Sequence, residues 1–388
     1  MRVSIRRFFS GASGGAIILL LSALLGLLLS NSFLSESYFK VLHLKMPFLA
    51  LDDAPNLAEF ISIAPMSLFF FVVIAEIKEE IISGHLASFR RVILPLISAL
   101  GGMMIPACLY GLITSGHLEV SRGWAIPIAT DAAFTLPIIL ALGRHVSEGA
   151  RVWLMALAIF DDLLGIVVIA LFYASHLNGY AFFAAVLITA VMIGLNKKSV
   201  QNLWVYASAG VVLWLALLVS GLHPTIAGVI TGLALPSVAD QPEKASPLER
   251  GKQIIAPWVT WLILPLFGFV SMGMSLSAMS FHALLAPVPL GVALGLFLGK
   301  PIGVFGATIM ATRLKIATLP KGTSLQMLFG LSLLCGIGFT ISLFIAELAF
   351  SGSDFLVPAK YGILMGSLLS ALAGWLWLRF LKFPAKGV

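Results

Sequence analysis

Charge is what this chain is short of. Only 11% of its 388 residues are Asp, Glu, Lys or Arg, while 60% are hydrophobic. No soluble domain hides that much apolar surface, which excludes the water-soluble classes and leaves a polytopic membrane protein. Cysteine is nearly missing. Cys108 and Cys335 both fall in apolar runs and read as buried packing residues, too few for a disulfide framework or a metal site. No His/Cys cluster points to zinc, copper or iron. Also lacking are the roughly ten-residue alternating strands of an outer-membrane barrel, so the spans must be helical.

What is there is a succession of long apolar runs. A span needs about 20 mostly apolar residues, and the runs suggest about twelve. Their cores are 12–30, 59–83, 93–114, 124–143, 152–173, 181–195, 203–220, 223–236, 255–277, 288–311, 326–350 and 361–379, the ones near 190 and 230 being short. Arg2, Arg6 and Arg7 before Ala16–Leu29 resemble a secretory signal, but without a small-residue cleavage site the segment reads as an uncleaved first helix. The Asn31–Asn56 connector is the longest, and Ser237–Gln253 is the one long hydrophilic loop on the opposite side.

The net charge of +7 invites a nucleic-acid reading that its distribution excludes. With the loops alternating from an inside N-terminus, nineteen of the 24 Lys and Arg fall inside and four (Lys40, Lys45, Arg122, Lys360) outside, leaving Lys300 in the membrane. That bias follows the positive-inside rule and puts both termini in the cytoplasm.

Against this apolar background four ionisable side chains stand out. Asp131, the adjacent Asp161 and Asp162, and Lys300 each lie near the middle of an apolar run. A charge at the bilayer centre costs about 2.5–3.5 kcal/mol on insertion scales, so such residues mark ion or proton pathways. Neighbouring helix positions point about 100° apart, so Asp161 and Asp162 cannot serve the same partner. Lys300 is the available counter-charge for one of them, and a strut between helices is the plainer reading of that pair. A buried carboxylate beside another binds a proton more tightly, and it can hold a proton or a hard cation such as Na+ but not both.

Two interruptions frame these residues. Pro127, Thr130 and Asp131 break one run, with Asp131 placed to cap the second half-helix, and Gly336 and Gly338 break another. They sit in the middle spans of two three-span regions, 93–173 and 288–379. An odd number of spans per region would make them inverted repeats, and paired interruptions point to a transporter site at the midplane. Gly291, Gly295, Gly299 and Gly303 recur every fourth residue, a bare ridge that brings another helix close to Lys300.

These residues lie in runs that resemble the NhaA family of bacterial sodium/proton antiporters: TDAAF at Thr130–Phe134, LMALAIFDDLLGI at Leu154–Ile166, GKPIG at Gly299–Gly303 and LCGIGFTIS at Leu334–Ser342. HPTIAGV from His223 and APWVTWLILPLF from Ala256 agree in order and spacing. This family is itself one of the examples behind the inverted-repeat rule. The resemblance implies an all-α membrane protein of the bacterial inner membrane that exchanges internal Na+ or Li+ for external H+ by electrogenic alternating access. It implies Asp162 as the main Na+ and H+ carrier with Asp161 beside it, Asp161 paired with Lys300 when no cation is bound, and Thr130 and Asp131 at the helix crossing. It implies no cofactor. A homodimer, with the Asn31–Asn56 connector at its interface, is a further expectation.

The likeness is weakest where that family is linked to pH control. The second span ends in AEIKEE, so Glu76, Lys78 and Glu80 match but Glu79 replaces an arginine. Ser62 and Ile63 replace an Asn-Asp pair, and in GKQIIAPW Lys252 replaces a glutamate, with Gln253 and Ala256 where histidines are usual. If Glu79 and Lys252 face each other, the ion pair is reversed but kept. His223 is a further residue for pH response. Two other classes stay open at this stage. An intramembrane aspartyl protease also needs paired aspartates, but the GxGD run is missing and Lys300 would hold a carboxylate ionised. A channel or solute permease would show flux without obligatory exchange.

Overall fold

The computed structural model describes residues 12–45, 55–82, 89–174, 177–239, 244–277 and 279–380. Arg2, Arg6, Arg7, Lys382 and Lys386 of the charge count lie outside them, as does the middle of the Asn31–Asn56 connector. The helices, in chain order, are α1 (Ala12–Ser30), α2 (Ser35–Leu42), α3 (Leu57–Ile82), α4 (Phe89–Ile113), a 3-10 segment Leu118–Ile128 leading into α5 (Ala132–Leu142), α6 (Glu148–Phe172), α7 (Gly179–Lys197), α8 (Leu203–Ser220) and α9 (Ile226–Ala234). They continue with α10 (Pro247–Ser271), α11 (Phe281–Leu284), α12 (Pro287–Arg313), α13 (Leu325–Leu334), α14 (Phe339–Phe350) and α15 (Leu356–Phe380). Two of these contain a single π turn, Val259–Ile263 in α10 and Gly295–Gly299 in α12.

Among the described residues nine helices are long and apolar enough to cross a membrane, and eleven spans result if the bent pairs α1–α2 (114°) and α13–α14 (46°) each count as one. The chain is an all-α, multi-pass membrane protein. The run at 223–236 folds as a nine-residue α9, only about 14 Å long at 1.5 Å per residue and too short to cross alone.

Local chemistry sets where the helices begin. Asn178 and Asn202 cap α7 and α8 by accepting the Tyr180 and Trp204 N–H groups. Ser246 caps α10 with Pro247 in the first turn, where the missing N–H costs nothing. Cys108 is exposed on α4, not buried as its apolar run suggested, on a face it shares with the exposed Met104, Ile105 and Leu112. Cys335 is buried.

The chain divides into two compact units, one of residues Ile17–Gly84 and Ile166–Gly273, the other of Met1–Ala16, His85–Gly165 and Met274–Val388. In the first, Gly228 of α9 lies on the Ser67 backbone of α3, and the Lys78 ammonium of α3 donates to the Leu233 and Leu235 carbonyls, both at 2.6 Å. A cation there meets the carbonyls left open at a helix C-terminus. The Lys45–Asn56 backbone bridge closes the long connector.

The second unit holds the two three-span regions. One is α4, the broken 3-10/α5 span and α6, which belongs to this unit as far as Gly165; the other is α12, the broken α13–α14 span and α15. The glycine ridge of α12 packs on α4. A Cβ on Gly299 would sit 2.8 Å from the Pro106 Cα, and one on Gly303 would overlap the Gly101 carbonyl. Only glycine permits that approach, and it carries Lys300 into the protein interior, where the side chain is fully buried.

Candidate functional site

Each broken span leaves backbone groups without helical partners, and the site is built from the side chains that satisfy them. The first span opens at Ala129–Asp131, just after Pro127, where the backbone is extended. The second opens at Cys335–Gly338, between α13 and α14. The two openings are joined directly: the Asp131 N–H donates to the Ile337 carbonyl at 2.6 Å.

Asp131 serves two helix starts at once. Its Oδ1 accepts from the Ala133 N–H of α5 at 3.0 Å, and its Oδ2 accepts from the Thr340 N–H of α14 at 2.8 Å and the Thr340 hydroxyl at 2.5 Å. A carboxylate at two N-termini meets two positive dipole ends, which offsets much of the cost of its burial. Ser367 of α15 completes the α14 cap by accepting from Gly338 and Phe339.

The C-terminal ends are covered by Lys300 and Thr130. Lys300 donates to the carbonyl of Ile128, the last residue of the 3-10 segment, and its ammonium lies 2.8 Å from Asp161 Oδ2. The Thr130 hydroxyl is 2.7 Å from the same Oδ2 and 2.8 Å from the Cys335 carbonyl. Thr130 has one proton for two acceptors. It can serve Asp161 or the Cys335 carbonyl fully, but not both.

Asp161 is 4% exposed. Oδ2 holds both partners, whereas Oδ1 is buried with no hydrogen-bond partner among the described residues. Asp162, one residue on, is half-buried and turns to another face of α6. The five residues expected at the centre thus fall in one unit, and four of them, Thr130, Asp131, Asp161 and Lys300, belong to one network across the two breaks.

The residues expected to govern pH response lie in the other unit. Glu79 and Lys252 form the reversed ion pair anticipated from charge sign. Glu76 is exposed and Glu80 half-buried on the same helix end. His223 lies in the turn between α8 and α9, its Nδ1 2.7 Å from the Thr225 hydroxyl; burial lowers its pKa from 6.5 to about 4.

Sequence reasoning passed over Thr340, Ser367 and the pair Lys360–Glu347, 3.9 Å apart between α15 and α14. Glu347 was findable as an acid inside the apolar run of α14. Thr340 looks like any buried threonine until the second break is seen to face Asp131.

Two interrupted helices whose openings share a buried carboxylate–lysine network define a secondary ion transporter. Residues 6–378 match the model of the family described as Na+/H+ antiporter 1. The chain is 98% identical, over the full length of both, to a protein of Zymomonas mobilis subsp. mobilis named Na(+)/H(+) antiporter NhaA. It is 59% identical to the protein of the same name from Gluconobacter oxydans, over 97% of this chain and 94% of that one. For the Gluconacetobacter diazotrophicus protein of that name the identity is 58%, covering 97% and 96%. The chain belongs to the Na+/H+ antiporter 1 family, and the protease reading is set aside.

Proposed function

We propose that this protein exchanges Na+ or Li+ from the cytoplasm for external H+ by alternating access, with protons and cations taking turns on Asp162 and Asp161. The observation that carries this reading is Asp161 itself. One of its oxygens is bound by Lys300 and Thr130, and the other is buried with no donor among the described residues. A buried carboxylate oxygen without a donor is costly, and either a proton or a hard cation can relieve that cost. Such competition at one acid is the chemical basis of exchange.

Asp162 takes the larger part in this reading because it is less buried than Asp161, whose Oδ2 is committed to Lys300 and Thr130. Thr130 and Asp131 keep the two breaks together, and Glu76, Glu79, Glu80 and Lys252 belong to the response to pH, with His223 acting only on its acid side. The lysine and arginine distribution supports an inner-membrane protein with both termini cytoplasmic. We place a homodimer interface at the Asn31–Asn56 connector.

Proteoliposomes test the core of it. Sodium or lithium added to one side should drive protons across, and Asp162→Asn should abolish that movement. Proton movement that survives the substitution removes Asp162 from the carrier role.

A further inference from the structure

Lys300 is the first residue after a π turn. Gly295–Gly299 is the one stretch of α12 with i→i+5 bonding, and the Lys300 N–H closes it on the Gly295 carbonyl. A π turn is an α-helix carrying one extra residue, uncommon and frequent at functional positions. Each helical residue turns the chain by about 100°, so the extra residue decides which way Lys300 faces. Without it, a helix fixed upstream would aim the lysine about 100° away from Asp161.

The turn also touches both helix breaks. Gly295 rests on Pro127, where an added Cβ would lie 2.7 Å from the proline Cβ. Leu296 is fully buried; its carbonyl lies against Gly336 and its side chain against Gly338. One turn of helix therefore contacts the first break, the second break and the residue that holds Asp161.

We infer that Gly295–Gly299 is the positioning element for Lys300, and that Leu296 is the positioning residue through which the second helix break sets the hold of Lys300 on Asp161. The inference rests on the exchange reading above and deepens it. When the breaks move, the floor under Leu296 moves, the turn shifts register and the lysine is drawn off or returned. Lys300 makes the contact; Leu296 acts only through it.

The test is Leu296→Ala in the full-length protein in proteoliposomes, read as sodium-driven exchange against pH. A carboxylate whose cationic neighbour is less firmly held keeps its proton to higher pH, so half-maximal exchange should move alkaline by roughly half a pH unit or more. Leu296→Met, which conserves volume, should restore the original profile. Val292→Ala is the control, a fully buried residue one turn upstream that packs on Gly362. It should lower thermal stability without moving the profile. If Leu296→Ala cannot be recovered folded, Leu296→Val carries the same test with a smaller shift.

A Leu296 profile that superposes on the unmodified protein's, or a shift matched by Val292→Ala, overturns the inference. An unmodified protein that moves no protons in response to sodium removes the exchange reading itself, a result distinct from either.

Discussion

Glu79 of α3 and Lys252 of α10 form an ion pair whose side chains are 28% and 25% exposed. The pair is partly wet, and pairs of that kind contribute about 0.2–1 kcal/mol. Its interest lies in its sign. Swapping the two charges by Glu79→Lys with Lys252→Glu should restore what either single change loses, because the pair and not the identity of each position carries the interaction. Each single variant sets like charges side by side and should lower the melting temperature and displace the pH profile of exchange. A double variant no better than the worse single would show that the two positions act separately.

The Lys300–Asp161 pair is a different case, because both side chains are buried. Lys300→Met leaves Asp161 without its counter-charge, a loss of the order of 3–5 kcal/mol. Lys300→Met combined with Asp161→Asn removes both charges and should recover much of that stability, while sodium-driven exchange stays impaired. Thermal unfolding in detergent of the single and double variants decides it. Equal melting temperatures for the two would mean that the unpaired carboxylate is not the source of the loss.

Two glycines on α12 separate packing from backbone preference. Gly303→Ala would drive a methyl into the Gly101 carbonyl and should prevent a stable fold. At Gly306 a Cβ meets nothing within 4 Å, so Gly306→Ala should be neutral or stabilise by about 0.5–1 kcal/mol through reduced backbone freedom. Expression and melting temperature of the two variants test the contrast. A harmless Gly303→Ala would contradict the close crossing that brings Lys300 inside.

His223 titrates on the acid side. Its folded value of about 4 lies below the ordinary 6.5, so folding favours the neutral ring. The stability from that preference is complete above pH 6.5 and is lost as pH falls from 6.5 toward 4. His223→Gln should flatten that part of a melting-temperature profile and leave exchange between pH 7 and 9 unchanged. An altered alkaline profile would assign His223 a part that its half-buried, neutral state does not support.

The ionisable residues of the site were legible because charge is expensive in oil: Asp131, Asp161, Asp162 and Lys300 announce themselves against an apolar background. The breaks at Pro127 and at Gly336 and Gly338 were legible from residues that cannot continue a helix cheaply. Glu79 and Lys252 could be matched by sign alone. The π turn could not be read, since Gly295 and Gly299 fit a regular helix ridge just as well, and only the seating of that ridge on Pro106 and Pro127 requires the extra residue. Thr340 and Ser367 were invisible for a related reason. A hydroxyl in an apolar run commonly bonds its own helix, and nothing local says that it will reach another. The nine-residue α9 is shorter than the apolar run that holds it, because hydropathy reports composition and is blind to where a turn falls.

A last consequence follows from the double cap at Asp131. One negative charge is the common anchor of the start of α5 and the start of α14, so neither helix start can lose that charge while the other retains it. The arrangement works like a single bolt through two hinges: neutralising Asp131 weakens its hold on both helix starts together.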